Sequence, residues 1–160
     1  MFKVLLFSVL AFAAREEKAH VHGVAKAALA FEGKTGKIEM SLPSSAIYGF
    51  EYMPKTAKDK KAKEAGLQKL EDKIAEMFVL DPSLKCEIKK EIFEVDQREN
   101  HSDIDAEFRV NCEKSPVGTS VMVNVAKIFP RIKTVQVDVI AEGVQKSQEV
   151  KTGGESIELK

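Results

Sequence analysis

Along most of this chain apolar and polar residues alternate, and only one long stretch changes to a helical period. Alternation with period two marks strands with one buried face, and spacing near 3.6 marks helices. Val21, Ala25, Ala27, Leu29 and Phe31 share one set of alternate positions, which predicts a strand over His20–Phe31. On such a strand His20, His22 and Val24 share the opposite face. Glu32–Gly36 contains two glycines and reads as a turn, and Lys37–Leu42 alternates back as the second arm of a hairpin. Pro43-Ser44-Ser45 ends that arm, and Tyr48–Thr56 is a compact connection.

The helical stretch follows. Thr56 suits an N-cap. Leu67, Leu70, Ile74, Met77 and Phe78 recur at helical spacing, which predicts a helix over Lys58–Phe78 that Gly66 should weaken. After an Asp81–Ser83 turn, Cys86–Val95 alternates, with Cys86, Ile88, Lys90 and Ile92 on one side. Asp96–Ser102 is polar and reads as the end of a hairpin. Asp103–Cys112 has the clearest alternation in the chain. Ile104, Ala106, Phe108, Val110 and Cys112 face one way, and His101, Asp103, Asp105, Glu107 and Arg109 face the other. Further strands are expected at Ser120–Val125, Thr134–Ala141, Ser147–Lys151 and Ser156–Leu159, with a short helical turn at Ala126–Pro130. The fold class is therefore α+β: a mostly antiparallel sheet with one main helix packed on a face.

Composition sharpens this picture. Of 160 residues, 44% are hydrophobic, enough for a core. Met1-Phe2-Lys3, the apolar run Val4–Phe12 and the small-x-small Ala11-Phe12-Ala13 form a secretory signal pattern over residues 1–14. A membrane anchor needs about 20 apolar residues, and this run breaks at Arg15. Residues 15–160 are then expected to be one exported domain, with no membrane anchor after cleavage. Loss of Lys3 leaves 24 basic against 25 acidic residues, a balance without the basic footprint of nucleic-acid binding. In an exported chain, the only two cysteines, Cys86 and Cys112, imply a disulfide. They lie at the far ends of two strands that an antiparallel pairing would bring together. Closing about 26 residues stabilises by about 3 kcal/mol on the loop-entropy argument.

The candidate chemistry lies in the histidines. There are three. Imidazole is the commonest transition-metal ligand, and carboxylates complete mixed sites that suit zinc, with copper(II) also chemically acceptable. The candidate ligands are His20, His22, His101, Asp103 and Asp105. An acidic stripe on an antiparallel strand is ordinarily a solvated outer face, and an i, i+2 histidine pair alone makes an open site. The sequence has no GxSxG, HExxH or glycine-rich phosphate loop. No enzyme activity is expected.

The order of short motifs resembles the ZrgA-like family of exported zinc-binding proteins associated with bacterial zinc uptake. The residues that carry it are Ala19–Ala25 and Gly33, then Gly49–Thr56, Cys86, His101–Cys112 and Ile128–Ile132. The resemblance implies a periplasmic, non-catalytic accessory protein that binds zinc and serves a component of an uptake system. It carries over to His20, His22 and His101 as ligands. Family members typically have a histidine-rich loop between the two cysteine strands, where this chain has only His101, and commonly a histidine where this chain has Tyr52. Both departures imply a lower zinc capacity. A second reading, of a different class, is a cell-envelope interaction module with no functional metal site.

Overall fold

A computed structural model describes residues 23–159. The predicted signal, the charged segment after it, and His20 and His22 lie outside the described residues. The expected α+β class holds. Six strands form the main sheet: β1 (Val24–Glu32), β2 (Thr35–Pro43), β4 (Glu87–Gln97), β5 (Ser102–Asn111), β7 (Thr134–Ala141) and β8 (Val144–Lys151). Their order is β4-β5-β2-β1-β7-β8, and every pair is antiparallel except β1 with β7. A smaller sheet pairs β3 (Phe78–Leu80), β6 (Ser120–Val123) and β9 (Glu155–Glu158) in the order β3-β6-β9.

One face of the main sheet is the core. β1 turns Ala25, Ala27, Leu29 and Phe31 inward, β2 adds Ile38, Met40 and Leu42, and β5 adds Ile104, Ala106, Phe108 and Val110. Helix α2 (Ala57–Asp72), the short helices α1 (Ser44–Ile47), α3 (Ile74–Met77) and α4 (Val125–Ile128), and the smaller sheet supply further members of the same hydrophobic cluster, among them Leu70, Met77, Phe78, Val121 and Ile157. Each large side chain fully buried there contributes about 1.5–3 kcal/mol. The opposite face carries Lys26, Glu39, Asp105, Glu107 and Asp138 around a shallow concavity. One face is thus packed and the other charged, the usual arrangement for an antiparallel sheet.

The first strand begins at Val24. Gly23 precedes it in a turn at φ +81°, and the part of the expected strand before it lies outside the described residues. Three local features differ from the periodicity, each for a physical reason. The main helix ends at Asp72, because Lys73 leaves helical geometry at φ −101° and ψ 7°. Met77 closes a separate turn and Phe78 opens β3. In β4, Glu91 is an extra residue: Lys90 pairs with Phe108, and Ile92 already pairs with Glu107. This bulge turns Ile92 outward, at 42% exposure, and Phe93 inward against Phe108, with ring centroids 5.4 Å apart. Ile92 therefore does not share a side with Ile88, as the alternation had suggested. Finally, Gly66 marks close packing more than weakness. A Cβ there would lie 2.7 Å from Tyr48 Cβ and 3.0 Å from Ile47 O, so glycine lets α2 sit against the end of α1.

The N-terminus of α2 is as expected. Thr56 Oγ1 accepts from Asp59 N–H at 3.1 Å, and Asp59 Oδ2 accepts from Thr56 N–H at 3.2 Å. This capping box satisfies two donors that the helix leaves unpaired. Cys86 and Cys112 are disulfide-bonded, just outside the first pair of the β4–β5 hairpin, Glu87 with Asn111. The bridge clamps the open end of that hairpin. His101 sits at its closed end.

Candidate metal centre

The β4–β5 hairpin closes tightly: Arg98 N–H donates to His101 O at 2.8 Å. From Ser102 onward the pleat sends Ser102 and Ile104 into the core and Asp103 and Asp105 to the outer face. His101 stands at the junction. Its Nε2 lies 2.9 Å from Asp103 Oδ2, and its Nδ1 lies 2.8 Å from Oε2 of Glu51, fifty positions away in the chain. The side chains of Glu51, Asp103 and His101 are 10%, 13% and 34% exposed.

Glu51 belongs to the connection between α1 and α2, which is held from several sides. Ser45 Oγ donates to Glu51 Oε1 at 2.6 Å. Gln97 Nε2 donates to Glu51 O at 2.8 Å and to Arg98 O at 2.7 Å, tying the connection to the hairpin end. Beneath it, the fully buried Ser44 donates to Phe50 O at 2.9 Å and shares a hydrogen bond with the fully buried Ser102, which Tyr48 Oη also approaches at 3.3 Å. Buried hydroxyls need such partners, since each one left unpaired costs about 1–3 kcal/mol. The path from Phe50 to the start of β5 is therefore tightly determined.

A chain of contacts joins the site to the point where the described chain begins. A Cβ on Gly23 would lie 3.2 Å from Arg131 O, and Gly23 O accepts from Lys133 N–H at 2.7 Å. Arg131 Nη1 donates to Ser45 O at 3.2 Å and lies 3.1 Å from where a Cβ on Gly49 would be. Gly49, at φ +101°, makes the turn that brings Glu51 back to the sheet. The motif stretches around Gly23, Gly49–Glu51, His101–Asp103 and Arg131 thus meet at one end of the main sheet.

This geometry acts on His101. Partial burial works against the imidazolium, but the hydrogen bond to Glu51 and the charge of Asp103 outweigh it, so the His101 pKa lies above its ordinary value. Imidazole nitrogen and carboxylate oxygen are donor types that zinc accepts. Tetrahedral zinc at about 2.0–2.1 Å from its ligands holds them about 3.3 Å apart. The Nε2–Asp103 pair at 2.9 Å would need to open by only a few tenths of an ångström.

Among the described residues no group of three or more histidine, cysteine, aspartate or glutamate side chains is arranged to hold a metal ion. His101 and Asp103 are together. Asp105 lies one step further along the same face of β5, opposite Glu94, as Asp103 lies opposite Asp96. His20 and His22 are outside the described residues. Sequence reasoning gave no role to Glu51. It stands in the Gly49–Thr56 motif, but its distance in sequence from His101 hides the contact.

A family model described as ZrgA family zinc uptake protein matches residues 19–159. The chain belongs to the ZrgA family. No curated protein matches the chain. The ZrgA match takes in His20 and His22 as well as His101, so all three histidines lie inside the family region. Its role is therefore related to zinc uptake.

Proposed function

We propose that this ZrgA-family protein is a non-catalytic periplasmic zinc carrier, which captures the ion and passes it to an uptake system. The observation that carries this reading is the His101 ring, set between two carboxylates at the end of the sheet where the described chain begins. His101 and Asp103 supply two ligands. His20 and His22 supply the others from the segment just upstream of Gly23. Gly23, the first described residue, packs against Arg131, which reaches Ser45 and through it Glu51, and each residue spans at most about 3.3–3.6 Å of extended chain. Asp105 is about 6.7 Å further along β5 by strand rise and adds negative field to the approach. Family membership, the signal pattern and the Cys86–Cys112 bridge support export to an oxidising compartment.

The test is a zinc titration of the oxidised chain, residues 15–160, against a competing chelator. Near-stoichiometric binding is expected, weakened at least tenfold by His101→Ala and abolished by replacing both His20 and His22 with alanine. Unchanged affinity in these variants would rule out the site. Capture of one envelope partner whether or not chelator is present, with no zinc uptake, would favour the interaction-module reading.

A further inference from the structure

The first turns of α2 carry a charge that the fold does not use. The positive end of a helix dipole lies at its N-terminus, where cations are unfavourable. Yet residues 52–63 hold Lys55, Lys58, Lys60, Lys61 and Lys63 against one acidic residue, Asp59, a local charge of +4 in a chain whose formal net charge is zero. Lys37, Lys73, Lys85 and Lys90 each reach a carboxylate, but among the described residues none of these five lysines forms an ion pair. Asp59 is turned to the cap, where it accepts from Thr56 N–H at 3.2 Å. Packing does not require the lysines either, because the buried residues of α2 are Gly66 and Leu70, both past its midpoint. A local rule broken without compensation inside the fold marks a functional place. Beside the lysines, Tyr52 and Met53 are 48% and 54% exposed. The Tyr52 ring stacks on Phe50 with centroids 4.7 Å apart, and its hydroxyl donates to Asp59 at 3.4 Å. Two exposed apolar side chains thus border the cationic patch.

We propose that Tyr52, Met53 and the lysines at the start of α2 form a docking surface for an anionic lipid bilayer. The unpaired lysines are complementary in charge to phosphate headgroups, and each adds attraction near such a surface. The composition favours a bilayer over an acidic protein. All five cations are lysine, which protein interfaces are depleted in, whereas arginine is enriched there. Lysine is a point charge on a flexible stem, which suits a fluid array of headgroups with no fixed geometry. Tyrosine settles at the headgroup level of membranes, and a lysine stem lies along apolar surface while its ammonium stays in the polar layer. The contact is peripheral, since no helix among the described residues is long and apolar enough to cross a membrane. This surface does not depend on the zinc reading.

The experiment is co-sedimentation of the oxidised chain, residues 15–160, with vesicles of phosphatidylcholine alone or mixed with phosphatidylglycerol, with chelator present throughout. Binding is expected to the mixed vesicles only. It should be lost when salt rises from about 0.01 M to 1 M, which shortens the Debye length from about 30 Å to 3 Å. Each lysine near such a surface changes the partition about fivefold, so Lys58→Gln, Lys60→Gln and Lys61→Gln together should lower binding about 100-fold. The same three positions changed to arginine should bind as wild type does, which separates lost charge from lost fold. The chain has no tryptophan, so Tyr52→Trp reports on the patch alone, and its emission should shift to the blue on the mixed vesicles. Wild-type protein that ignores the mixed vesicles, undiminished binding in the triple glutamine variant, or unshifted emission from vesicle-bound Tyr52→Trp protein overturns the proposal. Retention on immobilised polyglutamate without vesicle binding overturns it in favour of an acidic protein partner.

Discussion

The two ends of the β4–β5 hairpin are held by different means. At the open end Cys86 and Cys112 are joined covalently, outside the Glu87–Asn111 pair. At the closed end no covalent link exists, and Gln97, Glu51, Ser45, Ser44 and Ser102 form a hydrogen-bonded network around His101. The first device acts mainly on the unfolded chain, by shortening the loop it explores. The second acts on the native state, by fixing side-chain positions. Stability and site geometry are therefore separable within one hairpin. Changes at the bridge should alter how firmly the protein folds, and changes at the network should alter what the folded protein binds.

The largest effect is expected from replacing both Cys86 and Cys112 with serine. Stability to urea should fall by about 2–4 kcal/mol, while zinc affinity of the folded protein changes by less than about threefold. A large loss of zinc affinity would show that the two ends are coupled. Gly66→Ala comes next. In an exposed helix this change stabilises by about 1 kcal/mol, but here the new methyl meets Tyr48 and Ile47. We expect the opposite sign, a loss of about 1–3 kcal/mol in urea unfolding, with weaker zinc binding because the displaced α1 leads directly into the Glu51 connection. Ser102→Ala sharpens the comparison from the other side. It should cost only about 1–2 kcal/mol in stability, yet reduce zinc affinity more than the double cysteine variant does.

The smallest predicted effects are in pH dependence. The pKa of His101 is raised above its ordinary 6.5. Its ion pairs with Glu51 and Asp103 therefore stabilise the metal-free protein fully below about pH 6.5, and that contribution is lost as pH rises through the folded-state value. Zinc needs the unprotonated nitrogen, so its affinity should follow the reverse course and begin to fall at a higher pH than for an ordinary histidine. Melting curves and chelator titrations across pH 5–9 should show the two trends crossing in wild type, with the melting trend flattened in His101→Ala. Asp59, held below its ordinary pKa by Thr56, acts in the opposite sense: its capping contribution is present above about pH 3.8 and disappears as pH falls through its folded-state value.

Much of the fold was readable because alternation is a strong signal where nothing interrupts it. The inward set Ile104, Ala106, Phe108 and Val110 and the strand Thr134–Ala141 appear in the structure as the pattern suggests. The departures come where two physical causes compete. Lys89, Lys90 and Glu91 are all charged, so the pattern had no apolar position with which to reveal the bulge that turns Ile92 outward. Phe78 stands four residues after Ile74 and so mimics a helix, although tertiary pairing with β6 makes it a strand residue. Gly66 reads locally as a weak helix former, and only the approach of α1 explains it. At the site, the placement of His101 with Asp103 follows from their spacing of two residues at the start of β5. The Glu51 contact does not. It depends on how the α1–α2 connection returns to the sheet, and the sequence shows the turn residue Gly49 without showing what the turn reaches.

On the proposed function, zinc is held at the closed end of the hairpin. The most direct measurement is ¹H–¹⁵N chemical-shift mapping of the oxidised protein during zinc titration. Saturable shifts are expected, confined to residues 20–23, Gly49–Tyr52, Gln97–Asp103 and Arg131, with the amides around Cys86 and Cys112 unmoved. Shifts centred on the disulfide end, or spread along the acidic outer face around Glu94, Asp105 and Asp138, would contradict it.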